Sequence, residues 1–354
     1  MNHQTEIQDL IRWSVNKMEH LGWRKVIESN LIARLRGGLG GSHTVVTYPP
    51  LDALEPILPD QVISRSGPVS GLDLYLHIPF CEFICPFCHY DTQPTNINKP
   101  QEAKIQNYIN ALHEEVASWK GLIGRSTLNS IYIGGGTPTA ISEEQLLSLL
   151  DSVSSLPRKQ NFVGCVETSP LTVTAAVGRR KLQSLLNKGI NRLSMGVQSF
   201  NSELLRCSRG YDLKTVLKSL EIVQALIDNL NIDLIQDLPN QTDEDLLTDL
   251  EYVDKIKPAQ VTWYIMRLRP ESRWYRRYQG SSLNISESSQ SIRRTLMIRQ
   301  GMERIGYLAM PGGRFIRERR YRDTFKDSRA GLNSVLLGCG LSAYSHGWDY
   351  IFRN

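Results

Sequence analysis

The stretch Cys81-Glu-Phe-Ile-Cys85-Pro-Phe-Cys88 places three thiols within eight residues, directly after the apolar segment Leu72 to Phe80. A C-x3-C-x2-C spacing on a loop that leaves a strand can bring three sulfurs to one metal cluster. Soft thiolates at this density suit iron-sulfur ligation. Three ligands would leave one iron open for a substrate or cofactor. The sequence therefore predicts an iron-sulfur site with Cys81, Cys85 and Cys88 as its ligands.

Two other interpretations of this loop are weaker. A structural zinc site requires four nitrogen or sulfur ligands, and the fourth candidate, His89, adjoins Cys88, where chelate geometry is poor. Structural cysteines are scattered by packing and have no reason to cluster on a proline-containing loop. The other cysteines, Cys165, Cys207 and Cys339, stand alone in the sequence, and we expect them to be packing residues.

The segment Tyr75-Leu-His-Ile-Pro-Phe-Cys81, followed by Cys85 and Cys88, resembles the radical S-adenosylmethionine (SAM) superfamily and its coproporphyrinogen-oxidase-like (HemN-like) branch. Further matching motifs follow in the same order along the chain: Gly134 to Pro138, Asn191 to Phe200, Asn231 to Ile235, and Leu238 to Thr242. The resemblance implies a [4Fe-4S] cluster that splits SAM reductively into methionine and a 5'-deoxyadenosyl radical.

From Leu72 onward, short apolar segments alternate with helical patterns. Six strands are predicted: Leu72 to Ile78, Ser130 to Ile133, Phe162 to Glu167, Arg192 to Val197, Asn231 to Ile235, and Gln260 to Met266. Helices are predicted at Pro100 to Lys120, from Ser142 onward, and at Thr174 to Asn187, Lys214 to Asn229, Thr242 to Ile256, and Ser286 to Ile305. This rhythm indicates repeated βαβ units with a parallel sheet, which could be open or closed.

The resemblance selects a partial (β/α)6 TIM-type barrel. We therefore expect an α/β protein in three parts: an N-terminal helical leader at 1–70, a radical SAM partial barrel at 71–270, and a C-terminal extension with Arg-rich loops at 271–354. Helical spacing of apolar residues at Ile7 to Met18 and Leu21 to Leu35 predicts the helices of the leader, which we interpret as a lid or packing arm.

Ligand sites of parallel sheets lie at the carboxyl ends of the strands. Gly134 to Pro138 follows the second strand, where glycines either make a tight turn or let a ligand approach the backbone. Glu167 closes the third strand and can either cap a helix or pair with an ammonium group. The resemblance implies two bound SAM molecules. The cluster-bound SAM would contact Tyr75, Phe87, Gly135, Glu167 and Tyr344. The second SAM would contact Gly136, Thr137, Gln198, Arg209, Asp233 and Met266.

The sequence departs from the oxygen-independent coproporphyrinogen oxidases in two motifs. Tyr90 stands where the oxidases carry a fourth cysteine, and Asp237 replaces the glycine expected before Leu238. The oxidases also continue with a C-terminal domain. These departures argue against an oxidase. The sequence Cys88-His89-Tyr90, the retained second-SAM residues and the long leader favour similarity to the class C radical SAM methyltransferases and cyclopropanases, which would transfer a SAM-derived one-carbon unit to an sp2 carbon of a natural-product-type substrate. The alternative is a haem chaperone of the same branch, for which His89 and His346 are candidate axial ligands. An oxidase is the weakest of the three.

The chain of 354 residues is 41% hydrophobic and 22% charged, which are ordinary values for a soluble globular protein. Its polar start and the lack of an apolar run long enough to span a bilayer predict a cytoplasmic protein with no membrane partner. The reductive chemistry that the resemblance implies needs an electron donor such as flavodoxin or ferredoxin.

The formal net charge of +5 is concentrated in two groups of arginines: Arg267, Arg269, Arg273, Arg276 and Arg277, then Arg314, Arg317, Arg319, Arg320 and Arg322. Such groups either form solvated faces with ion pairs or bind phosphates, carboxylates or nucleic acid, the last with Trp274, Tyr275 and Tyr278 as stacking surfaces. We expect both groups to form a substrate entrance for an anionic small molecule or carrier-bound substrate, and nucleic acid is the weaker alternative.

Overall fold

The computed structural model describes residues 3–20, 55–56, 58–65, 71–95, 101–124, 126–279, 288–329, 335–347 and 351–354. The predicted helix Leu21 to Leu35 lies outside the described residues. Within the described ranges, no helix is both long and apolar enough to cross a lipid bilayer.

The strands are β1 (Leu72–Ile78), β2 (Phe80–Cys81), β3 (Gln93–Pro94), β4 (Leu128–Gly135), β5 (Arg158–Thr168), β6 (Arg192–Gln198), β7 (Leu230–Gln236), β8 (Gln260–Ile265), β9 (Leu308–Met310), β10 (Arg314–Ile316), β11 (Val335–Cys339), β12 (Tyr344–His346) and β13 (Ile351–Arg353). One 11-stranded sheet has the order β13-β12-β11-β1-β4-β5-β6-β7-β8-β10-β9. The run from β11 to β8 is parallel, whereas β9, β10, β12 and β13 pair antiparallel. The six predicted strands are the six consecutive parallel strands β1 and β4 to β8.

The helices are α1 (His3–His20), α2 (Pro59–Arg65), α3 (Glu102–Ser118), α4 (Lys120–Ile123), α5 (Glu143–Asp151), α6 (Pro170–Thr174), α7 (Gly178–Asn187), α8 (Ser202–Arg209), α9 (Leu213–Gln224), α10 (Asp243–Ile256), α11 (Arg273–Gln279), α12 (Ser288–Arg304) and α13 (Thr324–Arg329). The helix predicted from Thr174 to Asn187 is α7, which begins only at Gly178, because the extended Ala175 separates it from α6. The spacing of apolar residues did not predict α8, because a helix of eight residues is too short to show a clear helical period.

The last part of the chain is more regular than predicted. Instead of one helix and loops, it adds β9 and β10 beside β8, and β11 to β13 beside β1. β11 runs parallel to β1, with Leu74 opposite Leu337. These strands were missed because they are short and because the spacing of apolar residues changes after Pro270. Both edges of the predicted barrel sheet are therefore extended by the C-terminal residues.

A buried ion pair closes the interior at the amino ends of the strands. Arg192 opens β6, and its guanidinium lies 3.2 Å from the Asp323 carboxylate, with each side chain 1% exposed. Arg192 also donates to Cys165 Sγ at 2.9 Å and to Gln260 Oε1 at 3.1 Å. Phe325 from α13 stacks on Tyr132 of β4, with ring centroids 4.7 Å apart. The opposite, carboxyl ends of the strands therefore remain available for a site.

The unexpected Asp237 has a structural role. It has a φ of 65° after the end of β7, a conformation that aspartate tolerates better than most residues do. Its carboxylate accepts from Arg294 of α12 at 3.1 Å, and both side chains are at most 4% exposed. Arg294 also donates to Asp243 at 2.9 Å. Asp237 thus joins α12 to the carboxyl end of β7, a connection that the glycine of the oxidases could not make.

Candidate iron-sulfur and SAM site

The three clustered cysteines lie on a loop that leaves the carboxyl end of β1. The loop is closed by β2 and β3, where Cys81 pairs with Pro94. A turn within the loop is held by a hydrogen bond from the Cys88 amide to the Cys85 carbonyl, at 3.0 Å. Cys81 and Cys85 are 8% and 7% exposed, and Cys88 is half-buried. All three thiols are free, so the loop offers three sulfur ligands.

The chemistry and placement of these thiols fit an iron-sulfur cluster. Burial, together with the nearby Glu82, Cys85 and Cys88, raises the pKa of the Cys81 thiol to about 12, although a hydrogen bond from Thr137 lowers it. A side chain at Gly136 would come within 2.9 Å of Cys81 Sγ, so the glycine leaves space beside this sulfur. Within the described parts of the chain, no three His, Cys, Asp or Glu side chains converge as a single metal ion requires. A cluster places each thiolate on its own iron and does not require such convergence.

The glycine-rich end of β4 lies beside Glu167. The Gly135 amide donates to Glu167 Oε2 at 3.1 Å, and the Tyr132 hydroxyl donates to Oε1 at 2.7 Å. Gly135 has a φ of 114°, and any side chain there would overlap the ring of His77. Burial raises the pKa of Glu167. A cationic ligand group such as the SAM ammonium would therefore stabilise the ionised carboxylate.

A cavity of about 910 Å³ opens over the carboxyl ends of the strands. Eight of the predicted SAM contacts line it: Phe87, Gly136, Thr137, Glu167, Gln198, Arg209, Asp233 and Met266. This set contains all six residues assigned to a second SAM. Cys88 also lines the cavity, so the predicted cluster and the predicted SAM contacts meet in one place.

Three predicted contacts of the cluster-bound SAM do not line this cavity. Gly135 faces His77, as described above, and the Tyr75 hydroxyl lies 3.0 Å from His77 Nδ1. Tyr344 is on β12, where the Arg353 guanidinium lies 5.6 Å from the centre of its ring. These three assignments stay predictions.

Arg209 connects the cysteine loop to the cavity. Its Nη1 donates to Cys85 Sγ at 2.9 Å, and its Nε donates to the Tyr211 hydroxyl at 3.0 Å. Tyr211 in turn donates to the Gly196 carbonyl at 2.9 Å. Arg209 is the last residue of α8, which ends at Gly210 in the left-handed conformation. The guanidinium is therefore held between one predicted cluster ligand and the end of β6.

Asp249 positions the backbone next to Gln198. Gln198 has a φ of 75°, which is unfavourable for a residue other than glycine. The next two residues are held by Asp249 of α10, whose Oδ1 accepts from the Ser199 hydroxyl at 3.0 Å and from the Phe200 amide at 2.5 Å. Asp249 is completely buried and was not identified from the sequence, because it lies within a helix and only the fold brings it to the end of β6.

The carboxyl of Asp249 should make stability depend on pH. Burial raises the pKa of Asp249, the bonds from Phe200 and Ser199 lower it, and the nearby Asp245 raises it, which gives a pKa of about 8. Between an unfolded pKa of about 4 and the folded value, the folded state holds a proton that the unfolded state releases. The free energy of unfolding should therefore fall as pH rises from about 4 to about 8, by up to ~1.4 kcal/mol per pH unit.

Asp249→Asn should remove this part of the pH dependence, because the amide oxygen can still accept both hydrogen bonds but does not titrate. Denaturant unfolding at pH 5, 6, 7 and 8 measures the difference between the two proteins. Equal slopes against pH in both would show that Asp249 does not titrate in this window.

The two groups of arginines have different surroundings. Arg267 and Arg269 line the cavity, and His89 does so too. Burial lowers the pKa of His89, and the nearby Arg269 lowers it further. In contrast, Arg317 pairs with Asp228 at 2.8 Å and does not line the cavity. The expectation that the second group forms the substrate entrance is therefore wrong for Arg317, because its charge is neutralised at another part of the surface.

Two further expectations about single side chains are corrected. Cys165 and Cys339 are buried as predicted, but Cys207 is exposed on α8. Trp274 is 4% exposed and packs on Phe87, so it offers no stacking surface for nucleic acid bases.

Comparison with known families identifies this arrangement. Residues 75–253 match the family described as the Radical SAM superfamily. The chain belongs to this superfamily. Its membership implies a [4Fe-4S] cluster and SAM as cofactors, for which the cysteine loop and the cavity beside it provide the donor set and the space.

Individual relatives place the chain in the HemN/HemW-like branch. The haem chaperone HemW from Haemophilus influenzae is 31% identical over 204 residues, which cover 57% of this chain and 52% of that protein. HemW from Lactococcus lactis is 30% identical over 288 residues, covering 78% of this chain and 70% of the relative. The chain thus spans about half the length of the first of these relatives.

The structure of coproporphyrinogen III oxidase (HemN) from Escherichia coli superimposes with a TM-score of 0.69 at 26% sequence identity, covering 83% of this chain and 68% of that one. This likeness confirms the predicted α/β partial-barrel fold.

The expectation of a class C methyltransferase or cyclopropanase is wrong. Relatives of this chain are named haem chaperones or oxygen-independent coproporphyrinogen III oxidases, and the haem-chaperone alternative is better supported. Residues such as Glu167 and Asp233 were assigned to SAM binding. SAM binding is shared by enzymes that catalyse different reactions, so these residues do not indicate the reaction. The number of bound SAM molecules stays a prediction.

Proposed function

We propose that this protein is a haem-chaperone-like member of the superfamily. It would bind a [4Fe-4S] cluster through Cys81, Cys85 and Cys88, SAM beside Glu167, and haem in the adjoining cavity. When bound, the cluster would supply the electron that splits SAM. The names of the HemW relatives support this proposal, and so does the replacement of the fourth cysteine of the oxidases by Tyr90.

The observation that carries the haem assignment is the set of side chains in the cavity wall. His89 offers an imidazole, the most common protein ligand of metals. Arg267 and Arg269 offer guanidinium groups, which suit the propionate carboxylates of haem. Apolar side chains such as Ile235 and Met310 share the wall, as the faces of a tetrapyrrole require. His346, the other candidate ligand, is on β12 and does not line the cavity.

Titration of the reconstituted protein with hemin under anaerobic conditions tests this proposal. We expect one haem per chain with a shifted Soret band. His89→Ala should weaken binding at least about tenfold and change the band, because an axial ligand is lost. His346→Ala is the matched control and should bind as the wild type does. Iron and sulfide analysis of each variant shows whether the cluster, whose ligand Cys88 adjoins His89, is intact.

Two results would contradict the proposal. One is wild-type protein with a full cluster that takes up no haem, and the other is an unchanged Soret titration in His89→Ala. Conversion of added coproporphyrinogen III by the same preparation would support the oxidase alternative instead. Equilibrium dialysis with labelled SAM measures how many equivalents of SAM each chain retains. Two equivalents would support a second SAM at the six residues assigned to it, and one equivalent would contradict that assignment.

A further inference from the structure

Helix α11 packs directly on the outside of the cysteine loop. The Trp274 amide donates to the Pro86 carbonyl at 2.9 Å, and the Arg273 guanidinium donates to the Ile84 carbonyl at 2.8 Å. The Trp274 ring lies 5.7 Å from that of Phe87. Two of these contacts are made to the residues on either side of Cys85. The peptide that carries this buried thiol therefore lies immediately beneath α11.

The outward face of α11 is positively charged. Arg273, Arg276 and Arg277 are exposed, whereas Trp274 is turned inward against the loop. Arg206 on α8 is also exposed, one turn before Arg209, whose guanidinium contacts Cys85. Glu271 and, on α8, Glu203 are exposed acids nearby, but the exposed arginines of α11 and α8 still outnumber the acids. A macromolecule that approaches Cys85 from outside would meet this surface.

We propose that the arginine face of α11 is the docking surface for an acidic one-electron carrier protein that reduces the cluster. The inference rests on the proposed cluster. One electron passes from the reduced flavin or iron of the carrier to the cluster, so the carrier is oxidised by one electron and the cluster is reduced by one. Electron-transfer encounters bury little area and depend on complementary charge, which suits three arginines on a short helix. Nucleic acid fits less well, because Trp274 is buried.

The test compares two double variants with the same change in charge. Arg276→Glu with Arg277→Glu reverses the charge of the α11 face. Arg179→Glu with Arg319→Glu is the control, because both residues are exposed on other elements, α7 and the turn after β10. None of the four residues lines the cavity. The probe is purified flavodoxin, in its oxidised form for binding and as the hydroquinone for electron transfer.

The first readout is binding of oxidised flavodoxin to the full chain by calorimetry at several ionic strengths. We expect the α11 variant to bind at least tenfold more weakly than the wild type and to lose most of the salt dependence. The second readout is stopped-flow reduction of the cluster. Flavodoxin hydroquinone should reduce the cluster of the α11 variant at least tenfold more slowly, whereas dithionite should reduce all proteins at the same rate. The control variant should match the wild type in both.

Equal flavodoxin binding and equal reduction rates in the two double variants would overturn the proposal. So would tight binding of a DNA or RNA oligonucleotide that competes with flavodoxin and is lost in the α11 variant. These results are separable from failure of the proposed function. A preparation without cluster chromophore contradicts the cluster but still reports flavodoxin binding, and a preparation without haem uptake still reports cluster reduction.

Discussion

Cys85→Ala is expected to abolish cluster binding, with loss of the broad visible absorbance of the reconstituted protein and of most of its bound iron and sulfide. Cys85 is 7% exposed and lies in the middle of the three-thiol loop, between the two other predicted ligands. With only Cys81 and Cys88 remaining, the loop would have too few thiolates to retain a cluster. Cleavage of SAM to 5'-deoxyadenosine should be lost with the cluster.

Cys207→Ala is the matched control, because Cys207 is a free but exposed cysteine on α8. It should retain the iron content and spectrum of the wild type. A Cys85→Ala protein that keeps a full cluster chromophore would overturn the ligand assignment, and equal loss of iron in both variants would indicate non-specific iron binding by thiols.

Asp323→Ala should produce the largest loss of stability, about 3–5 kcal/mol in the free energy of unfolding. Its removal leaves the charge of Arg192 buried without a counter-ion, and breaking a buried pair from one side costs about this much. Arg192 would keep its bonds to Cys165 and Gln260, but neither partner is charged at neutral pH, since burial raises the pKa of Cys165 to about 12. Denaturant unfolding of the full chain measures the change.

Asp254→Ala is the surface control, because its pair with Lys257 is half-exposed and should contribute less than about 1 kcal/mol. The double variant Arg192→Leu with Asp323→Leu should recover most of the lost stability, since apolar residues can replace a buried pair with little net cost. A loss below about 1 kcal/mol in Asp323→Ala would mean that water reaches Arg192 in solution.

Features that depend on residues close together in the chain could be predicted from the sequence. β1 and β4 to β8 are apolar segments separated by helices, so their number and order could be predicted. The cysteine loop could be identified because the spacing of its thiols is unusual. The residues assigned to a second SAM also lie together on the cavity, because Gly136, Thr137, Gln198 and Met266 close or follow parallel strands of one sheet. Asp233 lies within β7, and Arg209 reaches the cavity from the end of α8.

Other features depend on contacts between residues far apart in the chain. The pairing of Arg192 with Asp323 joins positions 131 residues apart, and no local pattern indicates it. Asp249 acts on the backbone after Gln198 through the fold alone. In the described part of the chain, β11 is followed by no helix that would mark it as part of a βα repeat, and it is placed by pairing with β1. The function was misassigned for a related reason, since cofactor motifs describe SAM binding but do not specify the reaction.

The most direct test of the account is the EPR spectrum of the dithionite-reduced, reconstituted protein with and without SAM. The three-cysteine loop beside Glu167 predicts a [4Fe-4S] cluster with one iron open to SAM. Addition of SAM should therefore change the g-values of the reduced cluster, and Glu167→Gln should require at least about tenfold more SAM for the same change, because one ionic contact is lost. A full cluster whose spectrum does not respond to SAM would contradict the assignment of this site.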